Sequence, residues 1–225
     1  MKYQLYIFDL DGTLVDTSPG IIDSVRFVER TLGLTPVSQE ALGSFIGPPL
    51  EDSFSRCYDP DPARVREMVE VYRRRYREDG VGNGTIYPGI PDILDDIRAA
   101  GALSAVATLK HHTMAGLSLE RFGLSSRFDA IAARDDAHPS KADLIRRAME
   151  LLDWTDPSSV LMIGDSRYDG VGAGEAGVDF VALTYGFGFS EPGSREGLPT
   201  VFTARQPEEL VSFIRECLET QAVPV

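Results

Sequence analysis

Residues 3–16 read Tyr3-Gln4-Leu5-Tyr6-Ile7-Phe8-Asp9-Leu10-Asp11-Gly12-Thr13-Leu14-Val15-Asp16. An apolar, aromatic-rich run ends here in two aspartates, two positions apart, which are followed by glycine and threonine. The run predicts a buried strand, and Asp9 and Asp11 then leave its carboxyl end pointing the same way. Because buried carboxylates side by side repel one another, a cation is expected between them. Carboxylate oxygens suit Mg²⁺, so this stretch predicts a magnesium site.

The composition limits the classes of protein that the chain can belong to. Its 225 residues are 43% hydrophobic and 25% charged, which is ordinary for a globular protein with a full core. A formal net charge of −13 disfavours nucleic acid or an anionic membrane as the main partner. We also expect no membrane span and no signal peptide. The two cysteines, Cys57 and Cys217, lack metal-site or redox spacing, which predicts reduced thiols and a cytoplasmic location.

The chain is organised as a helical insertion within an α/β fold. After the first strand, helical patterns fill residues 18–84, and Ser18 is the predicted N-cap of the first helix, with Pro19 as its first residue. From residue 88 onward, strands and helices alternate with short links, which predicts a doubly wound, Rossmann-like parallel sheet. The predicted domains are an α/β core of residues 1–16 and 86–225 and an all-helical cap of residues 17–85. Hinges are expected where the chain crosses between them.

Chemically active side chains collect at the predicted strand ends, where ligands bind in such sheets. The first strand delivers Asp9 and Asp11, the next Thr108 with Lys110 behind it, and a later one Asp165 with Asp169 following. Lys141 begins a helix. Carboxylates with a hydroxyl and ammonium groups suit a phosphate that is held beside a divalent cation. Only three of the 22 basic residues are lysines, and two of these, Lys110 and Lys141, lie in this region.

In this arrangement the chain resembles the haloacid dehalogenase superfamily of hydrolases. The matching text is Asp9-Leu10-Asp11-Gly12-Thr13, then Thr108, then Lys141, then Gly164-Asp165-Ser166-Arg167-Tyr168-Asp169. The inserted helices resemble the cap of the phosphoglycolate phosphatase-like branch, of which the segments 45–50 and 83–89 are typical. Two positions depart from the pattern: Leu109 replaces a small polar residue, and alanine follows Lys141 where proline is common.

The resemblance implies a role for each matched residue. Asp9 is expected to attack phosphorus and form an aspartyl-phosphate, and Asp11 to carry the proton for the leaving alcohol and then for water. Thr108 and the backbone amide of Leu109 are expected to bind phosphoryl oxygens, together with Lys141. The expected ligands of Mg²⁺ are Asp9, Asp165 and the backbone carbonyl of Asp11. Asp169 is expected to support the ion or to hold Lys141.

These observations predict a Mg²⁺-dependent phosphatase of a small phosphorylated metabolite, such as a phosphoglycolate-like compound or a 5′-nucleotide. A sugar-phosphate mutase remains an alternative because it shares all four motifs, and so does a dormant phosphate-binding regulatory module. The presence of Asp11 disfavours a dehalogenase, and the lack of a cap lysine disfavours phosphonate cleavage. Plainer readings also stand, with Asp165 as a helix N-cap and Thr108 as an ordinary strand residue. Nothing in the sequence predicts the oligomeric state.

One glycine pattern is a decoy. Gly172-Ala173-Gly174-Glu175-Ala176-Gly177 fits G-x-G-x-x-G, but a dinucleotide fingerprint opens directly from its strand. This one falls inside a predicted helix, where its glycines are expected to serve close packing against the sheet. Gly177 is the expected C-cap.

Overall fold

The computed structural model describes residues 2–189 and 193–219, which contain one large parallel sheet. The strands in chain order are β1 (Leu5–Phe8), β2 (Val15–Asp16), β3 (Thr85–Ile86), β4 (Leu103–His111), β5 (Ala130–Arg134), β6 (Val160–Gly164), β7 (Asp179–Leu183) and β8 (Thr200–Ala204). Six of them form the sheet in the order β5-β4-β1-β6-β7-β8, and every neighbouring pair is parallel. The predicted α/β class and doubly wound parallel sheet are confirmed.

The central position of β1 follows from its sequence, because all four of its side chains are aliphatic or aromatic and fully buried. Leu5 and Ile7 face one side of the sheet, and Tyr6 and Phe8 face the other. Leu5 is in register with Leu103 of β4 and Val160 of β6. A strand that is apolar on both faces belongs in the interior of a parallel sheet covered by helices.

Helices cover both faces of the sheet. The helices in chain order are α1 (Ser18–Leu32), α2 (Gln39–Gly43), α3 (Leu50–Tyr58), α4 (Pro62–Glu78), α5 (Ile90–Ala99), α6 (His112–Arg121), α7 (Lys141–Leu151), α8 (Arg167–Ala176) and α9 (Pro207–Glu219). Helices α5, α6 and α9 pack on the Tyr6 face, and α7 and α8 pack on the Leu5 face. None of these helices, within the described ranges, has the length and apolar character that a bilayer crossing requires.

The four helices α1 to α4 form a unit with its own hydrophobic core, which includes Val25, Val28, Leu42, Phe54 and Met68. The unit departs from the sheet after β2 and returns through β3, and these two short strands pair antiparallel. The helical insertion is therefore present, and its core also contacts Met114 of α6. The exact domain boundaries, at residues 16 and 86, stay a prediction, as do the hinges.

The start of α1 differs from the prediction. The helix begins at Ser18, Thr17 is its N-cap, and Pro19 is in the second helical position. Ser18 donates its backbone N–H and its hydroxyl to the carboxylate of Asp16, at 3.0 and 2.6 Å, so its side chain does not cap the helix. The carboxylate of Asp16 satisfies the exposed helix N–H instead, because it reaches that group from outside the helix.

Two strands also extend further than their predicted ends at residues 108 and 132. β4 continues through Lys110 to His111, and β5 continues to Arg134. The register of the pair shifts between Thr108 and His111, and His111 is opposite Arg134. This irregularity turns additional charged residues towards the end of the sheet where the predicted site lies.

Candidate active site

Three adjacent strand ends place three of the predicted residues together. Asp9 follows β1 and extends its pairing, because its backbone N–H donates to the carbonyl of Ile163 at 2.9 Å. Thr108 is in β4, and Asp165 directly follows β6. All three side chains are buried. Parallel pairing brings the carboxyl ends of these strands to one edge, as the sequence predicted.

Lys141 enters this cluster from the first residue of α7. Ser140 caps that helix, and its hydroxyl and Asp143 form a capping box that fixes where the helix begins. The buried ammonium of Lys141 lies 2.8 Å from Asp9 Oδ1, 2.8 Å from the carbonyl oxygen of Ala107 and 2.7 Å from Asp169 Oδ1. The contacts with Asp9 and Ala107 are hydrogen bonds, and the contact with Asp169 is an ion pair.

The carboxylates of Asp9, Asp165 and Asp169 form the acidic group of the site. One oxygen from each lies within 4.8 Å of the others, and all three residues are buried. The prediction named Asp9, Asp165 and the backbone of Asp11 as metal ligands, with Asp169 in support. The carboxylate of Asp11 is not a member of this group.

The electrostatics of the group follow from burial and from like charges. Burial raises the pKa of Asp9 to about 6, with Lys141 opposing the shift and Asp169 adding to it. Burial and the charges of Asp169 and Asp9 raise the pKa of Asp165 well above its ordinary value. Burial alone would lower the pKa of Lys141, but the charges of Asp169 and Asp9 raise it overall. One ammonium therefore faces three carboxylates, and a second cation would relieve the remaining repulsion.

Asp165 is held by parts of the chain that sequence patterns do not reveal. The backbone N–H of Phe187, in the loop after β7, donates to its Oδ2 at 2.6 Å, and the hydroxyl of Thr13 lies 3.4 Å from its Oδ1. Gly12 has φ +81°, and a Cβ there would lie 2.4 Å from Asp165 Oδ2. The glycine after the two aspartates is thus required by both backbone conformation and close approach.

Asp169 is the third residue of α8 and forms a second capping box with the N-cap Ser166: its Oδ2 accepts from the N–H of Ser166 at 3.0 Å and from the hydroxyl of Ser166 at 2.6 Å. Its Oδ1 lies 2.7 Å from Lys141 Nζ, and holding Lys141 is one of the two roles that the resemblance implied for Asp169. Gly172 in the same helix lies against Lys141, since a Cβ there would be 2.6 Å from Lys141 Cγ. The expectation that the glycine pattern packs on the sheet is wrong at this position, because Gly172 makes room for the lysine stem of α7. Gly177 is the left-handed C-cap, as expected.

Asp11 has a separate set of partners. Lys110 Nζ donates to both of its carboxylate oxygens, at 2.8 and 3.1 Å, and the hydroxyl of Thr17 donates at 2.6 Å. Lys110 also donates to the hydroxyl of Tyr76 in α4 at 2.9 Å. The predicted proton carrier is therefore linked through Lys110 to the helical insertion. The sequence placed Lys110 directly behind Thr108 and predicted no partner for it.

Thr108 and Leu109, the residues predicted to bind phosphate, lie in β4. Thr108 is 1% exposed, and its Oγ1 accepts from the backbone N–H of Lys110 at 3.1 Å. Leu109 is half-buried, and its side chain packs against the core on the α7 side of the sheet. The apolar side chain is thus accommodated by packing. The proposed contact of the Leu109 backbone with phosphate stays a prediction.

A family model described as haloacid dehalogenase-like hydrolase matches residues 6–183. The chain belongs to this family. A 5′-nucleotidase from Pseudomonas aeruginosa is 36% identical over 98% of this chain and 97% of its own length. A phosphoglycolate phosphatase from Agrobacterium fabrum is 32% identical over 81% of each chain. The solved structure of a haloacid dehalogenase-like hydrolase from Streptococcus pneumoniae has a TM-score of 0.85 and 30% identity, covering 94% of this chain and 98% of that one.

Membership in the haloacid dehalogenase-like hydrolases confirms the family resemblance and, with it, an enzyme of the phosphatase type. The residues at this site that sequence reasoning missed are Thr17, Tyr76 and the backbone of Phe187. Thr17 was placed outside the first helix, and Tyr76 fits the apolar stripe of α4, so neither carried a separate signal. Arg134 lies two residues beyond the predicted end of its strand.

Proposed function

We propose that this protein is a Mg²⁺-dependent phosphatase that hydrolyses a small phosphomonoester through an aspartyl-phosphate on Asp9. The observation that carries the proposal is the contact of Lys141 with Asp9 and Asp169 beside Asp165. Three buried carboxylates with one ammonium suit a phosphoryl group that is bound beside a divalent metal ion. They do not form a favourable group on their own, because their mutual repulsion is only partly offset.

Accessibility distinguishes the nucleophile from the other carboxylates. The side chain of Asp9 is 12% exposed, whereas that of Asp169 is fully buried. Lys141 holds Asp9 Oδ1 at 2.8 Å, which fixes the direction of its carboxylate. We therefore assign the attack on phosphorus to Asp9: a bond from its carboxylate oxygen to phosphorus forms as the ester P–O bond breaks.

Asp11 is assigned the proton transfers. In its acid form it gives its proton to the departing alkoxide, and the resulting carboxylate then takes a proton from the water that attacks the aspartyl-phosphate. The second step restores the carboxylate of Asp9 and releases inorganic phosphate. Thr17 and Lys110 hold the carboxylate of Asp11 from two sides, so its orientation is set before substrate binds.

The donor set of the site fits Mg²⁺. Oxygen ligands are available from the carboxylates of Asp9 and Asp165 and from the backbone carbonyl of Asp11, and the excess negative charge favours a divalent cation. When bound, Mg²⁺ would neutralise negative charge on the phosphoryl oxygens. Asp169 is assigned a positioning role, because it contacts Lys141 and Ser166 rather than open space.

Phosphate binding is assigned to Thr108, Lys141 and the backbone of Leu109. Lys141 delivers a positive charge next to the nucleophile, and Thr108 supplies a hydroxyl at the end of the neighbouring strand. A fixed ammonium and a fixed hydroxyl stabilise the charge that develops on a phosphoryl group in transfer. The substrate in this proposal is a small phosphorylated metabolite. A nucleic acid partner stays disfavoured by the net charge, and the cytoplasmic location stays a prediction.

The test measures phosphate released from p-nitrophenyl phosphate and a panel of phosphorylated metabolites, with Mg²⁺ and with EDTA. We expect Mg²⁺-dependent release in the wild-type protein and a loss of at least about a thousandfold in kcat for Asp9→Asn, because the nucleophile is removed. The matched control is Asp52→Asn, which changes an exposed aspartate of α3.

Turnover of Asp9→Asn at the wild-type rate would exclude Asp9 as the nucleophile. Isomerisation of an added sugar phosphate without net phosphate release would establish the mutase alternative. Binding of phosphate compounds without any turnover would indicate the dormant module.

A further inference from the structure

A cavity of about 90 Å³ lies between the helical insertion and the end of the sheet. Phe45, Tyr72 and Tyr76 line it from the insertion, and Asp11, Lys110 and Arg134 line it from the sheet. Because the cavity borders the predicted proton carrier, it is the space that the leaving group of a phosphomonoester would occupy. Its size suits a leaving group of a few heavy atoms, since pockets for drug-sized ligands are about 300–1,000 Å³.

Arg134 is the unusual residue of this cavity. It ends β5, is half-buried, and lies opposite His111 in the sheet register. Its Nε is buried and has no hydrogen-bond partner. Its guanidinium makes no ion pair or hydrogen bond with any part of the chain that the structure describes. Buried donors are almost always paired, so the unpaired Nε of Arg134 beside a cavity indicates a missing acceptor.

The other arginines make Arg134 stand out. Across residues 2–189 and 193–219, the other arginine side chains without a partner are all exposed to solvent, where water satisfies them. They are Arg30, Arg66, Arg74, Arg77, Arg121 and Arg205. Arg134 alone among the described arginines combines partial burial with an unused guanidinium.

The remaining cations of the cavity are already engaged. Arg73 pairs with Glu51 at 2.9 Å, and Lys110 pairs with Asp11 at 2.8 Å. Burial, together with the nearby charges of His112, Arg73 and Arg134, lowers the pKa of His111, while Asp136 acts weakly in the opposite sense. Among the lysine and arginine side chains that line the cavity, the free capacity to bind an anion therefore belongs to Arg134.

We propose that Arg134 binds a second anionic group of the substrate, a carboxylate or phosphate carried by a compact leaving group. The inference rests on the phosphatase function proposed above and names its substrate class. A guanidinium matches both anions through two parallel N–H donors, which an ammonium does not offer. An uncharged alcohol leaves this donor set unpaired, so the enzyme discriminates against it.

The test compares three substrates with Mg²⁺ present. They are 2-phosphoglycolate, which carries a carboxylate, inorganic pyrophosphate, which carries a phosphate, and 2-hydroxyethyl phosphate, which carries no second charge. We expect Arg134→Gln to lower the ratio of kcat/KM for the better acidic substrate to kcat/KM for 2-hydroxyethyl phosphate by roughly tenfold to a hundredfold, mainly through KM. Arg134→Lys should retain part of the ratio, and the exposed control Arg77→Gln should leave it unchanged.

Which of the two acidic substrates is preferred identifies the second anion as carboxylate or phosphate. Equal kcat/KM values for charged and uncharged substrates in the wild-type protein would overturn the inference. So would an equal loss on all substrates in Arg134→Gln, which would indicate a structural role.

A binding measurement separates this inference from the proposed function. Isothermal titration calorimetry of Asp9→Asn with 2-phosphoglycolate, pyrophosphate and 2-hydroxyethyl phosphate gives the Kd of each compound, and thus the preference for a second anion, without turnover. We expect tighter binding of an acidic compound and loss of that preference in the double variant Asp9→Asn/Arg134→Gln. Equal affinities would overturn the anion site whether or not the protein is a phosphatase. A preference without wild-type turnover would keep the anion site and reject the phosphatase.

Discussion

Replacing Asp165 by asparagine should stabilise the metal-free protein while it removes the response to Mg²⁺. Oxygens of Asp9, Asp165 and Asp169 lie within 4.8 Å of one another, and at an effective dielectric constant of about 20 each ionised pair repels by about 3.5 kcal/mol. Lys141 contacts Asp9 and Asp169 directly and offsets only part of the two repulsions that involve Asp165. Asparagine is nearly isosteric and keeps an acceptor for the N–H of Phe187.

The assay is thermal unfolding of wild type and Asp165→Asn in EDTA and in saturating Mg²⁺. In EDTA we expect the variant to be more stable by about 1–3 kcal/mol, or roughly 2–10 °C in Tm for a chain of this size. At a Mg²⁺ concentration of about 100 times Kd the wild type should gain about 2.7 kcal/mol, and the variant should gain little. The difference in stability between the two proteins should therefore shrink or change sign when Mg²⁺ is added.

The substitution Asp52→Asn, at an exposed position, controls for the loss of a negative charge elsewhere. It should change the free energy of unfolding by no more than about 0.5 kcal/mol, in EDTA or in Mg²⁺. A less stable Asp165→Asn protein in EDTA would refute the reasoning. It would show that the contacts of Asp165 outweigh its repulsions, so that the carboxylates need no second cation. An equal Mg²⁺ response in both proteins would refute the assignment of Asp165 as a ligand.

Three further predictions concern the insertion and its link to the site. Lys110→Met should lower the free energy of unfolding, measured in urea, by about 3–5 kcal/mol, because it leaves the mostly buried carboxylate of Asp11 without its ion pair. The kcat of this variant should also fall. An unchanged kcat would exclude a role of Lys110 in positioning Asp11. Gly20→Ala should cost about 3 kcal/mol in the same assay, because its Cβ would lie 2.0 Å from a backbone carbonyl, whereas Gly43→Ala, with open space around it, should be neutral or stabilising. Burial disfavours the charged form of Glu29, but hydrogen bonds from Arg26, a backbone N–H and a tyrosine hydroxyl lower its pKa overall. The stability that this carboxylate adds is therefore present above pH 4.5 and is lost below it. Wild type should therefore exceed Glu29→Gln by about 3 kcal/mol at pH 7, and the gap should shrink as the pH falls below 4.5; a constant gap would contradict the linkage.

The predicted grouping of the site residues depends on local patterns and on one rule of topology. Apolar runs identify the strands, and parallel pairing then places the residues after each strand at a common edge. That reasoning brought Asp9, Thr108 and Asp165 together, whereas Lys141 joined them through its place at a predicted helix start and through the family resemblance. Each step uses a few neighbouring residues and a general property of α/β sheets.

The parts that the sequence did not predict depend on how the insertion lies over the sheet. Tyr76 fits the apolar face of α4 equally well whether its hydroxyl meets solvent or Lys110, and only the packed structure decides. The N–H of Phe187 carries no side-chain signal at all, because any residue supplies a backbone donor. Arg134 escaped notice because the irregular register after Thr108 lengthens both strands beyond their apolar runs.

The rarity of lysine acquires a physical meaning once the contacts are known. Of the three lysines, Lys141 pairs with Asp9 and Lys110 with Asp11, so each aspartate of the opening motif has its own ammonium. Lys141 Nζ contacts three oxygens: the carbonyl oxygen of Ala107 in β4, a carboxylate oxygen of Asp9 after β1 and a carboxylate oxygen of Asp169 in α8. A compact ammonium with three divergent donors can contact all of these, whereas a planar guanidinium directs its donors into one plane. At Arg134, where the proposed acceptor is a planar carboxylate or a phosphate, a guanidinium suits two parallel bonds, so the two kinds of cation match the two tasks that we assign to the site.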